Sequence, residues 1–302
     1  MSERPRAARD PSHHLALAVA VLSVVFLSFG PIFVRKAEMG GLAFAFHRMW
    51  LAAAAYVVLS HLTGRPLTWQ ALRVSLPGGL FFAFNVATFF ESVQRTSVAN
   101  ATVIGALQPA ALLFVGGPLF GERATVREVG WTSVSIAGTA IVVFGASSAQ
   151  TGDLVGDALA FAAMLGYAAY YAASKRARST LGTLEYQSAL SIIATVALVP
   201  VVLIDGTDLS APRPSSWLWV AAMVALPGTG HLMTNFAHAY IRMSIMSVLT
   251  LLTPGLSALA AWVLLDERIV LVQILGMVIT IGALAMMVRP PRRVARPSAA
   301  VR

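Results

Sequence analysis

The chain has 302 residues, of which 57% are Ala, Val, Ile, Leu, Met, Phe, Trp or Tyr and only 12% are charged, against about 25% charged in an ordinary soluble domain. This balance excludes a soluble globular protein, and spans of about 20 residues each leave no length for an additional soluble domain. The net charge of +9 does not indicate nucleic acid, because the basic residues sit between apolar segments rather than in one patch; they read as membrane-topology signals. Cysteine is absent, which excludes disulfides, thiolate metal sites and cysteine nucleophiles.

In chain order, the first uncharged apolar run covers 15–34, preceded by Arg4, Arg6 and Arg9 and closed by Arg35 and Lys36. It exceeds the 7-to-15-residue core of a secretory signal and contains Pro31, so a retained first span is expected. Further runs follow at about 42–62, 74–93, 97–120, 129–149, 154–174, 184–204, 216–239, 243–265 and 269–288. Each is long enough for a helix crossing a hydrocarbon core of about 30 Å. Short separators such as Thr63-Gly64-Arg65-Pro66 carry turn chemistry and make neighbouring helices antiparallel.

If the N-terminus is cytoplasmic, most of the 22 Lys and Arg residues fall on the cytoplasmic side, including Arg65, Arg73, Arg127, Lys175, Arg176, Arg178 and Arg242. The opposite loop between spans five and six has Asp153 and Asp157 and no basic residue. Both termini are therefore expected in the cytoplasm, with the protein in the plasma membrane, the inner membrane of a bacterium.

The chain also matches itself. At an offset of 145, Pro109 meets Pro254, Glu122 meets Glu267 and Arg123 meets Arg268; slightly upstream the offset is 147, where Phe89 meets Phe236, Arg95 meets Arg242 and Glu91 meets His238. Five spans per copy is an odd number, so the second copy enters the membrane from the opposite side. The expected fold is an all-α integral membrane protein with ten transmembrane helices as two inverted five-helix repeats, at 15–149 and 150–288. Basic tails occupy 1–14 and 289–302. Inverted repeats are typical of secondary transporters, whose midplane site opens alternately to each side.

Thr96-Ser97-Val98-Ala99-Asn100-Ala101, Gln108-Pro109 and Gly121-Glu122-Arg123, echoed by Thr253-Pro254 and Asp266-Glu267-Arg268, resemble the paired modules of the EamA family of the drug/metabolite transporter superfamily. Arg48 also suits the pattern, whereas Ser244-Ile245-Met246-Ser247 matches its counterpart only loosely. The resemblance implies export of amino acids, amphipathic metabolites or drugs without nucleotide hydrolysis.

Polar residues at membrane depth are costly and mark cavities or helix contacts. In span eight, His231, Thr234, Asn235 and His238 lie at i, i+3, i+4 and i+7, with Arg242 one turn beyond; the stripe lines a cavity or hydrogen-bonds between helices. Span six repeats the spacing with Tyr167, Tyr170, Tyr171 and Ser174, a cation-π surface for an ammonium or an interfacial aromatic belt. Span three offers Asn85, Thr88, Glu91 and Ser92. Glu91 either faces the cavity or pairs with Arg95 at i+4. Span four offers Thr102, Gly105 and Gln108, and span nine Ser247, Thr250 and Ser257. Pro109 and Pro254 each remove a helix hydrogen bond, so both spans should kink and act as hinges, while Gly117 and Gly121 read as close helix packing.

No phosphate-binding lysine loop, zinc helix or nucleophile elbow occurs, and His13-His14 lies in the basic tail. A non-enzyme without cofactor or metal is expected. Candidate substrate contacts are Asn85, Glu91, Gln108, Tyr167, Tyr170, His231, Asn235 and His238, in a secondary transporter of a small amphipathic metabolite. Protons are expected as a coupling partner from Glu91 and the histidines, beside the lipid bilayer as surroundings. Two alternatives are a carrier of phosphorylated or nucleotide-linked sugars, which needs several cations at depth, and a membrane-embedded enzyme on a lipid-linked substrate.

Overall fold

A computed structural model describes residues 11–64, 67–96, 98–122, 124–146, 153–210, 213–265 and 269–288. Most of the two basic tails, Ser97, Arg123 and Asp266-Glu267-Arg268 lie outside them. Among the described residues the regular structure is entirely helical. In order these are α1 Pro11–Leu27, α2 Gly30–Lys36, α3 Gly41–Leu62, α4 Trp69–Arg95, α5 Val98–Gly105, α6 Gln108–Phe120, α7 Val126–Ala146, α8 Leu154–Ala177 and α9 Thr183–Asp205. Then come α10 Pro214–Met223, a π-helical turn Val224–Gly228, α11 Thr229–Ala237, α12 Met243–Leu249, a 3-10 turn Thr250–Leu252, α13 Thr253–Leu265 and α14 Leu271–Val288.

Several helices are halves of one interrupted span, and proline explains the interruptions. Pro109 has no N–H and its ring crowds the carbonyl four residues back. The helix accordingly stops at Gly105, turns with Leu107 N–H donating to Ile104 O at 3.0 Å, and restarts at Gln108. Pro254 follows the 3-10 turn in the same way. The kinks expected from sequence at these two prolines are present. Two more occur where none was expected, between α1 and α2 before Pro31 and in the π turn around Pro227.

Helices long and apolar enough to cross a membrane are His14–Val34, Gly41–Leu62, Trp69–Ser92, Val103–Phe120, Leu154–Ala177, Thr183–Asp205 and Met243–Leu264, with the shorter Leu271–Met287 beside them. That makes 7 among the described residues, short of the ten spans expected; α7 and the π-interrupted series α10–α11 are the remaining helical stretches. Large apolar side chains face outward along these helices, with Phe114 81%, Ile204 87% and Val278 62% exposed. Such a surface suits hydrocarbon, in which every backbone group must also be satisfied within its own helix. The chain is an integral membrane protein.

Packing follows the internal repeat. Helix α4 packs on α8 and α9, α1 on α11, α3 on α9, α10 and the π turn on α3, and α7 on α14. Shifted by the repeat offset, the α4–α8 contact becomes α11–α1 and α4–α9 becomes the α10 region against α3. The α3–α9 and α7–α14 contacts map onto themselves. Each repeat is thus completed by helices of the other.

The α7–α14 contact is made backbone to backbone. A Cβ on Gly276 would stand 2.7 Å from both Gly138 O and Val142 N, and one on Gly138 would stand 2.5 Å from Thr280 Oγ1. Here, rather than at Gly117 and Gly121, small residues permit close approach: neither of those has an atom within 4 Å of a would-be Cβ, and Gly121 instead closes α6 in the left-handed region at φ 68. Gly276→Val should therefore cost about 1–3 kcal/mol by overpacking and lower the thermal midpoint in detergent, whereas Gly117→Ala should not lower it. Equal midpoints for Gly276→Val and the wild type in scanning fluorimetry would contradict the contact.

Candidate functional site: a central pocket and the polar network behind it

Helix α3 places Arg48, Ala52 and Tyr56 at i, i+4 and i+8 on one face, and α9 places Gln187 and Ser191 at i and i+4. These two faces meet around a narrow pocket of about 20 Å³, completed by Met49, Phe82, Met223, Val224, Gly228 and His231. The π turn matters locally. Val224 and Gly228 of the lining belong to the π turn and His231 follows three residues beyond it. The Arg48 guanidinium lies over the Phe82 ring at 5.8 Å, and His231 meets the same ring edge-on at 5.1 Å. His231 Nδ1, Tyr56 Oη and Ser191 Oγ are buried without a hydrogen-bond partner.

Behind the pocket several polar groups hydrogen-bond one another. Asn235 is fully buried; its Nδ2 donates to Gln187 Oε1 at 2.6 Å, its Oδ1 accepts from Tyr170 Oη at 3.3 Å, and its backbone oxygen accepts from Arg178 Nε at 2.9 Å. Tyr170 also packs on Phe82 at 4.8 Å and stacks on Tyr167 at 5.5 Å. Ser174 Oγ and Tyr186 Oη share a hydrogen bond of 2.7 Å, and Thr234 donates to Ser23 at 3.1 Å. Helices α8, α9, α11 and α1 are joined by these bonds.

The candidates from sequence divide accordingly. His231 lines the pocket, Tyr170 and Asn235 stand directly behind its wall, and Tyr167 is packed against Tyr170 and Tyr171. Asn85 is occupied in a helix contact, donating to Ala163 O at 2.9 Å. Glu91 accepts from Arg95 Nε at 2.6 Å in a partly exposed pair, 30% and 50% exposed, away from the pocket. His238 is buried edge-on against Tyr171 at 4.7 Å with neither ring nitrogen hydrogen-bonded. Gln108 is buried at the break before Pro109, its Nε2 unpartnered. Pro109 and Pro254 sit in the first turns of α6 and α13. The structure does not bring Glu91 and His238 together.

The polar residues picked out from sequence lie on spans three, four, six, eight and nine. Sequence reasoning missed α3 and α9. Arg48, Tyr56, Gln187 and Ser191 are pocket residues, and the available signal was their four-residue spacing within apolar helices. Arg48, noted in the sequence only as suiting the family pattern, lines the pocket with its guanidinium over Phe82.

At the end of the bundle where α8 finishes, charges join the two repeats. Lys175 Nζ lies 2.7 Å from Glu122 Oε1, Glu122 Oε2 accepts from Met243 N–H at 3.0 Å, and Arg242 Nη1 lies 2.5 Å from Glu128 Oε1. Lys175 also donates to Ile241 O at 2.8 Å, and Arg127 donates to Met286 O.

No curated protein matches the chain in sequence. A protein of solved crystal structure shares the fold, with a TM-score of 0.78 over 93% of this chain and 100% of its own at 20% identity. The EamA-like transporter family matches twice, at residues 14–144 and 154–289, on either side of the segment where the internal repeat divides. Repeated match, repeat-related packing and a shared pocket agree: the chain belongs to the EamA-like transporter family of the drug/metabolite transporter superfamily and is a membrane transporter.

Proposed function

We propose that the protein is a secondary transporter that moves a small amphipathic metabolite, an amino acid or a drug-like compound, by alternating access through the pocket between the repeats. The observation that carries this reading is the origin of the lining: Arg48, Tyr56 and Phe82 come from the first repeat and Gln187, Ser191 and His231 from the second. A site shared by two repeats changes its exposure when one rocks against the other. In this reading the repeats are inverted, α7 and the α10–α11 series complete ten spans, and both termini face the cytoplasm of a plasma membrane. Export is the direction we propose. The breaks before Pro109 and Pro254 act as hinges, since helix ends there already lack the continuous hydrogen-bond ladder.

Saturable uptake of labelled amino acids and amphipathic compounds into proteoliposomes tests the proposal. His231→Ala is expected to lower the rate about tenfold or more at unchanged protein content. Vesicles no faster than empty liposomes, or full activity in that variant, would sink it. Proton coupling, for which His231 is the candidate that lines the pocket, predicts uptake that rises with an imposed pH gradient; uptake that ignores the gradient removes it. A carrier of phosphorylated sugars is less well supported, because such substrates call for several cations and the pocket presents one guanidinium.

The ion pairs Glu122–Lys175 and Glu128–Arg242 hold the proposed cytoplasmic end closed. Because the chain has no cysteine, spin labels at Val126→Cys and Ser179→Cys report on that end alone. Replacing Glu122→Gln and Glu128→Gln together should shift the measured distance distribution to longer values. An unchanged distribution would mean that the charges do not hold the closure.

A further inference from the structure

The charge of the pocket is unbalanced. Arg48 is the one lining residue that carries a permanent charge, and neither Asp nor Glu lines the pocket. Among the described residues no carboxylate lies within ion-pair distance of it; Glu91, Glu122, Glu128 and Glu38 are engaged with Arg95, Lys175, Arg242 and Arg213. The titratable groups facing the guanidinium are the phenols of Tyr167, Tyr56 and Tyr170 and the imidazole of His231, none of them anionic near neutral pH. An arginine cannot shed its proton, so a membrane-buried guanidinium without a counter-charge is costly. Its contact with the Phe82 ring offsets part of that cost. Tyr56 and Ser191 add hydroxyls to the lining, both without partners, and Met49, Ala52 and Met223 supply an apolar wall.

Resting on the reading of this pocket as the transport site, we infer that the substrate carries a single anionic head, a carboxylate on an apolar or aromatic body, and that Arg48 binds it directly. One guanidinium matches one carboxylate through a pair of parallel hydrogen bonds, whereas a cationic substrate would meet like charge with nothing to neutralise it.

The test uses the cysteine-free chain. Ala52→Cys, in the pocket wall, provides a sole thiol for two methanethiosulfonate reagents of similar size, one ending in a sulfonate and one in a trimethylammonium. Rates in the purified protein are normalised to those with 2-mercaptoethanol. The sulfonate reagent is expected to be favoured about tenfold or more, because a charged cleft concentrates counter-ions. Adding Arg48→Gln should abolish the preference and Arg48→Lys should keep it. Indole-3-acetate should protect the thiol from labelling, and tryptamine should not. Equal normalised rates in the Ala52→Cys protein, or protection by tryptamine instead, would overturn the anion and leave the transport site standing. No reaction with either reagent would mean that solvent does not reach the pocket, and both readings would fall together. The comparison within Ala52→Cys decides even if Arg48→Gln fails to fold.

Discussion

The architecture depends on the exchange of helices between repeats, in which α4 of the first packs on α8 of the second and α11 of the second packs on α1 of the first. In lipid there is little hydrophobic gain from pressing apolar helices together, so association depends on close van der Waals packing and interhelical hydrogen bonds. Both are concentrated at these crossings and at the self-related pairs. Asn85 bonds Ala163 O between α4 and α8, Thr234 bonds Ser23 between α11 and α1, and Gly138 and Gly276 bring α7 and α14 to backbone contact. Neither repeat keeps these partners if separated from the other.

That exchange also produces the pocket. The self-related pair α3–α9 brings the Arg48 face of one repeat opposite the Gln187 face of the other, and His231, just past the π turn, completes the lining. The contrast with the neighbouring network is informative. Asn235 bonds Tyr170 and Gln187, and Ser174 bonds Tyr186, whereas His231 Nδ1, Tyr56 Oη and Ser191 Oγ, on residues that line the pocket, have no partner. Buried polar groups without partners are expensive; they also occur away from the pocket, at Gln108, Tyr171 and His238, so it is the convergence of α3, α9 and α11 around one space that locates the candidate site.

Much of this was legible in the residues. Composition excluded a soluble protein, the Pro109–Pro254 and Glu122–Glu267 matches exposed the duplication, and the i, i+3, i+4, i+7 stripe of α11 led to His231 and Asn235. Where the residues left two readings open, the structure's choice has a physical cause. Glu91 has two competing partners at sequence level, a cavity and Arg95, and the nearer one wins because an i,i+4 carboxylate and guanidinium meet without any tertiary contact. Gly117 and Gly121 carry the spacing of a packing motif, yet Gly121 is needed to end a helix.

What the sequence by itself determined is whatever follows from local composition and repetition: membrane residence, helical spans, the two-repeat plan, and helix breaks where proline removes an N–H. The tertiary structure alone decided which polar faces share a space. A helical stripe specifies a direction around its own axis but not the neighbour it meets, so Arg48 and Tyr56 on α3 gain their meaning only when α9 and the π turn are set against them. For the same reason the sequence stripe did not show where the hydrogen bonds of Asn235 go: to Tyr170 and Gln187, residues 65 and 48 positions away in the chain, which only folding brings within reach.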